Sequence, residues 1–289
     1  MQPGARRWLV GGPPLAYLLV LFAAPLAIMA LASFRAPGDF GGLAPLVTEG
    51  ELNVNADAYA TLFSDFLYLG LFAKSLGYAA LATLLCLAAG YPLALLIARS
   101  PRKHRDLLVL LVILPFWSNF LIRVYAWMTI LGPQSFVMQA LNGALALVGA
   151  EPVSLLYTPA AVVITLVYVH LPFMVLPLYA NLEKHDPALL DAAQDLGAGA
   201  WQRFWRVTFP LSLPGVYAGV ALVFIPALGI FAIPDLIGGT GGIMIGNVIK
   251  QQFLDTRDWP FGAALSFVLM AAAIGVSGLA ALLGRRTRA

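Results

Sequence analysis

Six apolar stretches dominate this sequence, and each is long enough to cross a lipid bilayer as a helix, which takes about 20 residues. Only 11% of the residues are charged, against roughly 25% in a typical soluble domain. The chain is therefore predicted to be an all-α polytopic membrane protein, one transmembrane domain over residues 1–289 with six transmembrane helices. The six predicted spans cover about residues 13–34, 70–98, 107–131, 158–180, 214–237 and 261–283.

Basic residues occur in alternate connections between these spans. Ala36 to Leu69 contains five acids and no lysine or arginine, and Gly132 to Tyr157 contains only Glu151. Because basic loops stay in the cytoplasm, both termini and residues 181–213 are predicted to be cytoplasmic. The first apolar stretch exceeds the 7–15 residues of a signal peptide, so an uncleaved first helix is expected. The basic positions are Arg6, Arg7, Arg99, Arg102, Lys103, Arg105, Lys184, Arg203, Arg206, Arg285, Arg286 and Arg288.

The polar segment 181–213 contains its own helix start and stop signals. Asp186 followed by Pro187 favours a helix start, and Gly197 supplies the left-handed residue that ends a helix. A second short helix is predicted from Ala200 to Val207, stopped by Pro210 and Pro214. Such an apolar-faced helix pair could lie against lipid headgroups or dock into a soluble partner.

The same segment carries a spaced motif. Asp191-Ala192-Ala193 is followed after three residues by Gly197, and after nine more by Val207-Thr208-Phe209-Pro210. This pattern resembles the cytoplasmic "EAA" loop of permease subunits of binding-protein-dependent ABC importers, with Asp for Glu, Val for Ile and Phe for Leu. We call residues 181–213 the coupling loop. The resemblance implies that Asp191, Ala192, Ala193, Gly197 and Pro210 couple the chain to an ATPase.

Three further segments extend the resemblance, over most of the chain from about Leu114 to Met270. PFWSNFLIRVYAWMTIL, YVHLPFMVLPLYANLEKHDPALLDAAQDLGA and IPDLIGGTGGIMIGNVIKQQFLDTRDWPFGAA are similar to the first of the two permeases of spermidine/putrescine-type importers. The resemblance implies a type I ABC importer permease fold in the bacterial inner membrane and alternating access. It also implies three kinds of partner: a second permease in a heterodimer, two cytoplasmic ATPase subunits and a periplasmic solute-binding protein.

Asp235 is the one acid well inside an apolar stretch, and charges at membrane depth are expensive and often functional. Pro234 breaks the helix before it, and the glycines after it are expected to free the backbone. By resemblance, Phe231, Asp235 and Lys250 form the outer gate region, where Asp235 and Lys250 could pair. Asp235 could instead lie solvated at the interface. The apolar run Ala232-Ile233-Pro234 departs from the family pattern and leaves other substrates open, such as opines or aminophosphonates.

Several aromatic and basic side chains elsewhere in the spans could have either a functional or a purely structural role. Trp117 and Tyr125, with Trp127 and Phe231, could line a cation path through their ring faces, although such residues more often belong to the interfacial belt or to packing. Arg123 is predicted to snorkel to the interface, and His170 to form an interhelical hydrogen bond.

Motifs for other chemistry are missing from the sequence. There is no GxxxxGK[ST], so ATP hydrolysis is assigned to partner subunits and not to this chain. No Cys/His pairs have metal spacing, no nucleophile-elbow motif is present, and nothing supports nucleic-acid binding. We therefore expect a transport subunit with neither cofactor nor metal, in contact with membrane lipid.

The competing interpretations of the sequence are an ion-coupled secondary transporter and a membrane enzyme. The single cysteine, Cys86, excludes an intramolecular disulfide and is expected to be buried.

Overall fold

A computed structural model describes residues 3–48 and 51–286 of the chain. The described residues are overwhelmingly helical, and the two strands, β1 and β2, have two residues each and pair antiparallel. The all-α prediction is confirmed. Glu49 and Arg288 lie outside the described residues, and so do the side chains of Arg6, Arg7, Arg285 and Arg286. The elements are α1 (Pro3–Ser33), β1 (Val47–Thr48), β2 (Glu51–Leu52), α2 (Asp57–Ser64), α3 (Phe66–Arg99), α4 (Arg102–Ile113), α5 (Phe120–Ile130), α6 (Phe136–Leu147), α7 (Pro159–Leu182), α8 (Ala188–Asp195), α9 (Ala200–Arg203), α10 (Phe209–Leu228), α11 (Ala232–Ile237), α12 (Ile245–Leu254) and α13 (Trp259–Arg286).

Five of the described helical runs are long and apolar enough to cross a membrane, and a bent helix pair makes a sixth if it crosses as one broken span. The predicted third span, 107–131, is this pair and not one helix. A 3₁₀ turn at Leu114–Trp117 follows α4, and α5 leaves at 93° to the α4 direction. The turn follows from local chemistry, because Pro115 lacks an N–H and the Asn119 side chain caps α5 by accepting the Leu121 N–H at 2.8 Å.

The predicted fifth span, 214–237, is wrong at both ends. Helix continues without interruption from Ala200 to Leu228, so Pro210 and Pro214 do not stop it. A π turn at Phe204–Thr208 precedes α10, and the Phe209 N–H bonds five residues back to the Phe204 carbonyl. This wider turn puts Pro210 in the first turn of α10, where no N–H is needed. At the other end the helix stops at Leu228 and restarts as α11, with Pro234 near its start.

The chain divides into two compact units, residues 1–70 with 248–271 and residues 71–247 with 272–289. In the first unit, the loop after α1 lies against the turn between α12 and α13. The Gly42 N–H donates to the Arg257 carbonyl at 2.7 Å, and a side chain on Gly41 would lie 2.6 Å from the Arg257 Cβ. Tyr68 and Phe261 meet edge to face at 4.9 Å.

In the second unit, α3, α7 and α10 form the core. A Cβ on Gly215 would lie 2.8 Å from the Asn181 Cβ, and a Cβ on Gly219 would lie 2.6 Å from the Met174 sulfur. This small-xxx-small pair lets α10 approach α7 closely, as small residues do between membrane helices. The buried core residues are Cys86, Tyr91, Ala94, Ile97, Met174, Val175, Leu178, Leu182, Val216 and Val223.

Candidate functional site

The first half of the coupling loop is a short helix with a defined start and end. The Asp186 carboxylate accepts the Ala188 N–H at 3.0 Å, as an N-terminal cap does. At the other end, Gly197 has φ +82°. The Gly197 N–H donates to Gln194 at 2.8 Å and the Ala198 N–H donates to Ala193 at 3.0 Å, which is the Schellman motif. The glycine stop is confirmed, whereas α8 begins one residue later than predicted, with Pro187 at the cap position and Asp186 bonded to the first N–H of the helix.

The second half of the loop is fastened to the first. Arg203 Nη1 donates to Gln194 Oε1 at 2.5 Å, across the glycine turn. The Gly199 N–H donates to Gln202 Oε1 at 3.3 Å, which satisfies a backbone donor at the start of α9. Trp201, Phe204 and Trp205 contact one another, with ring centroids 5.2–6.3 Å apart. These contacts join the two halves of the coupling loop into one bonded unit.

This unit contacts the membrane helices through Tyr91 of α3. The Tyr91 ring meets Phe204 edge to face at 5.6 Å and lies 5.9 Å from Phe209. The Ser212 hydroxyl donates to the Phe209 carbonyl at 2.8 Å, so it accepts from the Tyr91 hydroxyl, also at 2.8 Å. A displacement of the π turn therefore reaches α3 directly.

An ion pair joins α4 to the end of α7, where the coupling loop begins. Arg105 Nη1 lies 2.6 Å from Glu183 Oε1. A hydrogen bond from the Tyr179 hydroxyl, and then the Arg105 guanidinium, lower the pKa of the Glu183 carboxyl. Arg105 also donates to the Ala98 carbonyl at 3.1 Å, so the guanidinium bridges the ends of α3 and α7.

The residues assigned to coupling lie on a surface that is open in this chain. Asp191, Ala192, Gly197 and Pro210 are exposed, and Ala193 is half-buried. Large apolar side chains lie exposed beside them, and Leu196 is 88% exposed and Trp201 is 73% exposed. An apolar surface of this kind, bordered by polar residues, is typical of a protein interaction site.

At the opposite end of α10, segment 229–247 interrupts the helix; we call it the break segment. Asn247 holds it together. The Asn247 amide donates to the Phe231 carbonyl at 2.9 Å and to the Asp235 carboxylate, and its oxygen accepts the Met244 N–H at 2.9 Å. Asn247 is buried whereas Asp235 is exposed, so Asp235 presents a carboxylate at the surface on a fixed support.

Most of the glycines after Asp235 lie so close to neighbouring backbone atoms that a side chain would not fit, and they do not make the backbone flexible. A Cβ on Gly238 would lie 2.7 Å from the Pro234 carbonyl oxygen, and one on Gly246 would lie 2.6 Å from the Gly229 carbonyl oxygen. Only Gly239 uses a positive φ, +56°, and it also lies close to Tyr157. The expectation that these glycines free the backbone is wrong for most of them.

The other predicted path residues are placed separately. Trp117, 76% exposed, ends the 3₁₀ turn, and Tyr125, 52% exposed, lies on α5, which packs against α11. Lys250 lies on α12, half-buried. Asp235 and Lys250 belong to different compact units, so their pairing stays a prediction.

The structure places two side chains of the spans, Arg123 and His170, differently from what the sequence predicted. The Arg123 guanidinium lies over the rings of Phe116 (5.4 Å) and Phe120 (5.9 Å) at the α4–α5 bend, so it packs on aromatic faces. His170 Nδ1 bonds to the Leu166 carbonyl, 2.9 Å away on its own helix, so its partner is within one helix and not across two.

Sequence reasoning missed three polar residues near the break segment. Asn247 went unnoticed, as did Ser75, whose hydroxyl accepts the Ile245 N–H at 2.7 Å. Lys74 lies inside the second span with its ammonium 5.7 Å from the Tyr78 ring centre. A charge within an apolar run was the available signal for Lys74. No three His, Cys, Asp or Glu side chains of the described residues are grouped to hold a metal ion.

These features define a class of protein, a polytopic helical membrane protein in which a helical loop precedes α10 and a break in the helix follows it. Residues 90–289 match the family described as binding-protein-dependent transport system inner membrane component. The chain belongs to this family and is a multi-pass subunit of an inner-membrane transport system.

Named relatives and a solved structure agree with this assignment. The chain is 49% identical to the spermidine/putrescine transport system permease protein PotB of Salmonella typhimurium, over 74% of this chain and 73% of the relative. It is 46% identical to PotB of Haemophilus influenzae, over 80% of this chain and 77% of the relative. A bacterial ABC transporter involved in the import of the acidic polysaccharide alginate aligns with a TM-score of 0.75 at 20% identity, covering 98% of this chain and 96% of that one. That last similarity supports the fold alone.

Proposed function

We propose that this chain is a permease subunit of an ATP-driven importer that moves polyamines, such as spermidine or putrescine, into the cytoplasm. The observation that carries the proposal is the 46–49% identity to PotB proteins over about three quarters of the chain. The termini and the coupling loop are cytoplasmic in this proposal, in keeping with the basic residues of that loop.

The proposed complex contains a second permease, two cytoplasmic ATPase subunits and a periplasmic solute-binding protein. The apolar surface around Leu196 and Trp201 supports an ATPase contact, because these two side chains are strongly exposed and charged side chains border them. Closure of the ATPases pushes α8. The push passes through the Arg203–Gln194 bond and the Phe204–Tyr91 contact to the spans, and the passage opens on the other side.

At the outer end we propose that Phe231, Asp235 and Lys250 form the gate, with Trp117 and Tyr125 along the path. A polyamine carries ammonium groups, which bind carboxylates and the faces of aromatic rings. Asp235 is the carboxylate that this chain offers on α11, and Phe231 is 45% exposed beside it. The second permease supplies the remaining acidic groups.

Uptake of labelled spermidine by the complete transporter in proteoliposomes tests the substrate. We expect uptake that requires internal ATP and the binding protein, and that excess putrescine inhibits while an opine or an aminophosphonate does not. Inhibition by the latter compounds instead would reassign the substrate. Ion-driven uptake by the chain alone would support a secondary transporter and contradict the proposal.

Substitution of the glycine that ends α8 tests the coupling loop. Gly197→Pro removes a residue with φ +82° and one N–H of the Schellman motif, so co-purification with the ATPase should be lost. Gly149→Pro is a matched control. Gly149 ends α6 with φ +72° and the same pair of hydrogen bonds, but it lies in a connection predicted to face outward. Equal loss in both variants would contradict a specific role for the coupling loop.

A further inference from the structure

A cavity of about 400 Å³ lies behind α8, between the ends of α3 and α7 and the π turn. Its walls include Arg99, the last residue of α3, and Leu182, the last residue of α7. α7 has 24 residues, slightly more than the roughly 20 that cross the hydrocarbon core, so we expect its end, and with it the cavity, to lie near the lipid headgroups. Occupancy of this cavity would support α8 from the side opposite its exposed surface.

Apolar and charged side chains both contribute to the wall of the cavity. Leu95, Leu190 and Leu211 provide apolar surface, and Arg99, Arg105, Glu183, His185 and Asp186 provide the polar groups. A ligand that satisfies both kinds of side chain is amphiphilic. A soluble ion would leave the leucine surface without a partner, whereas an acyl chain would cover it.

The charges on the wall select the headgroup. Arg105 and Glu183 neutralise each other at 2.6 Å. The Arg99 guanidinium makes no hydrogen bond or ion pair within the part of the chain that the structure describes. Asp186 is exposed and accepts only one backbone N–H. One cation and one acid therefore remain, which fits a headgroup that carries both a phosphate and a positive charge.

We propose that this cavity binds phosphatidylethanolamine, with the lipid phosphate on Arg99 and the ammonium on Asp186. A primary ammonium donates hydrogen bonds to a carboxylate, and charge-assisted bonds of this kind are the strong ones. The quaternary ammonium of phosphatidylcholine has no N–H to donate, and phosphatidylglycerol has no cation for Asp186. The proposed function places the coupling loop in the cytoplasm and therefore the cavity at the inner leaflet, and only this placement rests on that function.

Native mass spectrometry of the full chain in detergent, titrated with the three lipids carrying identical acyl chains, tests the site. Wild-type protein should bind one phosphatidylethanolamine about tenfold more tightly than phosphatidylcholine, the effect of a charge-assisted hydrogen bond. Asp186→Asn should reduce that ratio to about one, because asparagine keeps the helix cap and removes the charge. Melting temperatures of each variant verify folding.

Arg99→Gln should weaken the binding of phosphatidylethanolamine and of phosphatidylcholine about tenfold, because both lipids carry the phosphate. Arg102→Gln is the matched control, since it removes a basic residue three positions away that does not line the cavity, and it should change neither affinity. The proposal is overturned if wild type does not discriminate between the lipids, if Asp186→Asn keeps the preference, or if both arginine variants bind alike. Displacement of the lipid by equimolar glycerophosphoethanolamine would identify a soluble ligand and also overturn it. The assay involves no transport, so its failure leaves the proposed function intact.

Discussion

A single amide joins the pieces of the break segment. Asn247 is buried and binds the Phe231 carbonyl, the Asp235 carboxylate and the Met244 N–H. A buried polar group that loses its partner costs more free energy than the hydrogen bond contributes. The position and orientation of Asp235 therefore depend on Asn247.

Asn247→Ala should destabilise the protein by about 2–3 kcal/mol, because it leaves the Met244 N–H and the Phe231 carbonyl unpaired. Spermidine uptake by the complete transporter should fall as well, since Asp235 loses its support. The measurement is thermal unfolding together with uptake.

Asn142→Ala is the control for that change. The Asn142 amide, on α6, forms two hydrogen bonds to Val153 in the connection that follows, at 2.9 and 3.2 Å, and both are exposed. Water replaces those partners, so we expect a loss below about 1 kcal/mol and normal uptake. Equal effects in the two variants would show that Asn247 has no special role.

At the level of elements, the residues that start and end a helix predicted α8, whereas the expectation that Pro210 and Pro214 end a helix was wrong for α10. Asp186 and Gly197 act through hydrogen bonds to residues within a few positions, so the sequence contains all the information needed. The effect of Pro210 depends on a π turn and on packing against α7, which are not local. For the same reason the 93° bend after α4 was not predicted, although Pro115 and Asn119 mark the place.

The crossing of α7 and α10 depends on the absence of a side chain at Gly215. Gly215→Val places carbon atoms within about 3 Å of the Asn181 Cβ and the Pro177 carbonyl oxygen, and overpacking of this kind costs about 1–3 kcal/mol. We expect a lower melting temperature and a lower yield of assembled transporter, measured by fluorescence-detected size exclusion.

The effect of a valine on stability depends on the space around the glycine that it replaces, and Gly77 provides the comparison. A Cβ at Gly77, on α3, would have no atom within 4 Å. Gly77→Val should therefore leave the melting temperature unchanged or slightly raised, because valine is a better helix former than glycine. A loss of stability as large as that of Gly215→Val would contradict the packing argument.

The tie between α4 and α7 should be sensitive to pH. The Tyr179 hydroxyl and Arg105 lower the pKa of Glu183 from its ordinary 4.5. A lowered pKa means that the stabilisation is fully present above the ordinary value and is lost as the pH falls through the folded-state value. Glu183→Gln should therefore lower the melting temperature at pH 7, and the difference from wild type should disappear in more acidic solution. A difference that persists unchanged at acid pH would exclude the carboxylate as its source.

At the scale of the whole molecule, the helical membrane class and the family could be predicted from sequence, while the site geometry at the break segment could not. Apolar length and motif spacing are one-dimensional properties. The Asn247 contacts, by contrast, join residues 3 to 16 positions apart through a turn that the sequence does not specify.

The orientation in the membrane is the property on which the mechanism depends, and thiol labelling measures it. Cys86 is buried, so wild type should react little with a membrane-impermeant maleimide. Asp195→Cys, in the exposed part of the coupling loop, should react only after spheroplasts are permeabilised. Ser154→Cys, exposed in the connection before α7, should react in intact spheroplasts. The reverse pattern would place the coupling loop outside and refute the proposed mechanism.

The π turn before α10 has a consequence for chain length. Each residue added to or removed from an α-helix rotates everything beyond it by about 100° about the helix axis. Helix is continuous from Ala200 to Leu228. A one-residue deletion at the π turn would therefore rotate α8 and its exposed leucines about the axis of α10, although the hydrogen bonds at both ends of α8 would remain. The number of residues between Gly197 and Pro210 therefore sets the direction in which α8 projects from the axis of α10, and we expect an insertion or deletion there to be tolerated less well than a substitution that keeps the contacts of Arg203 and Phe204.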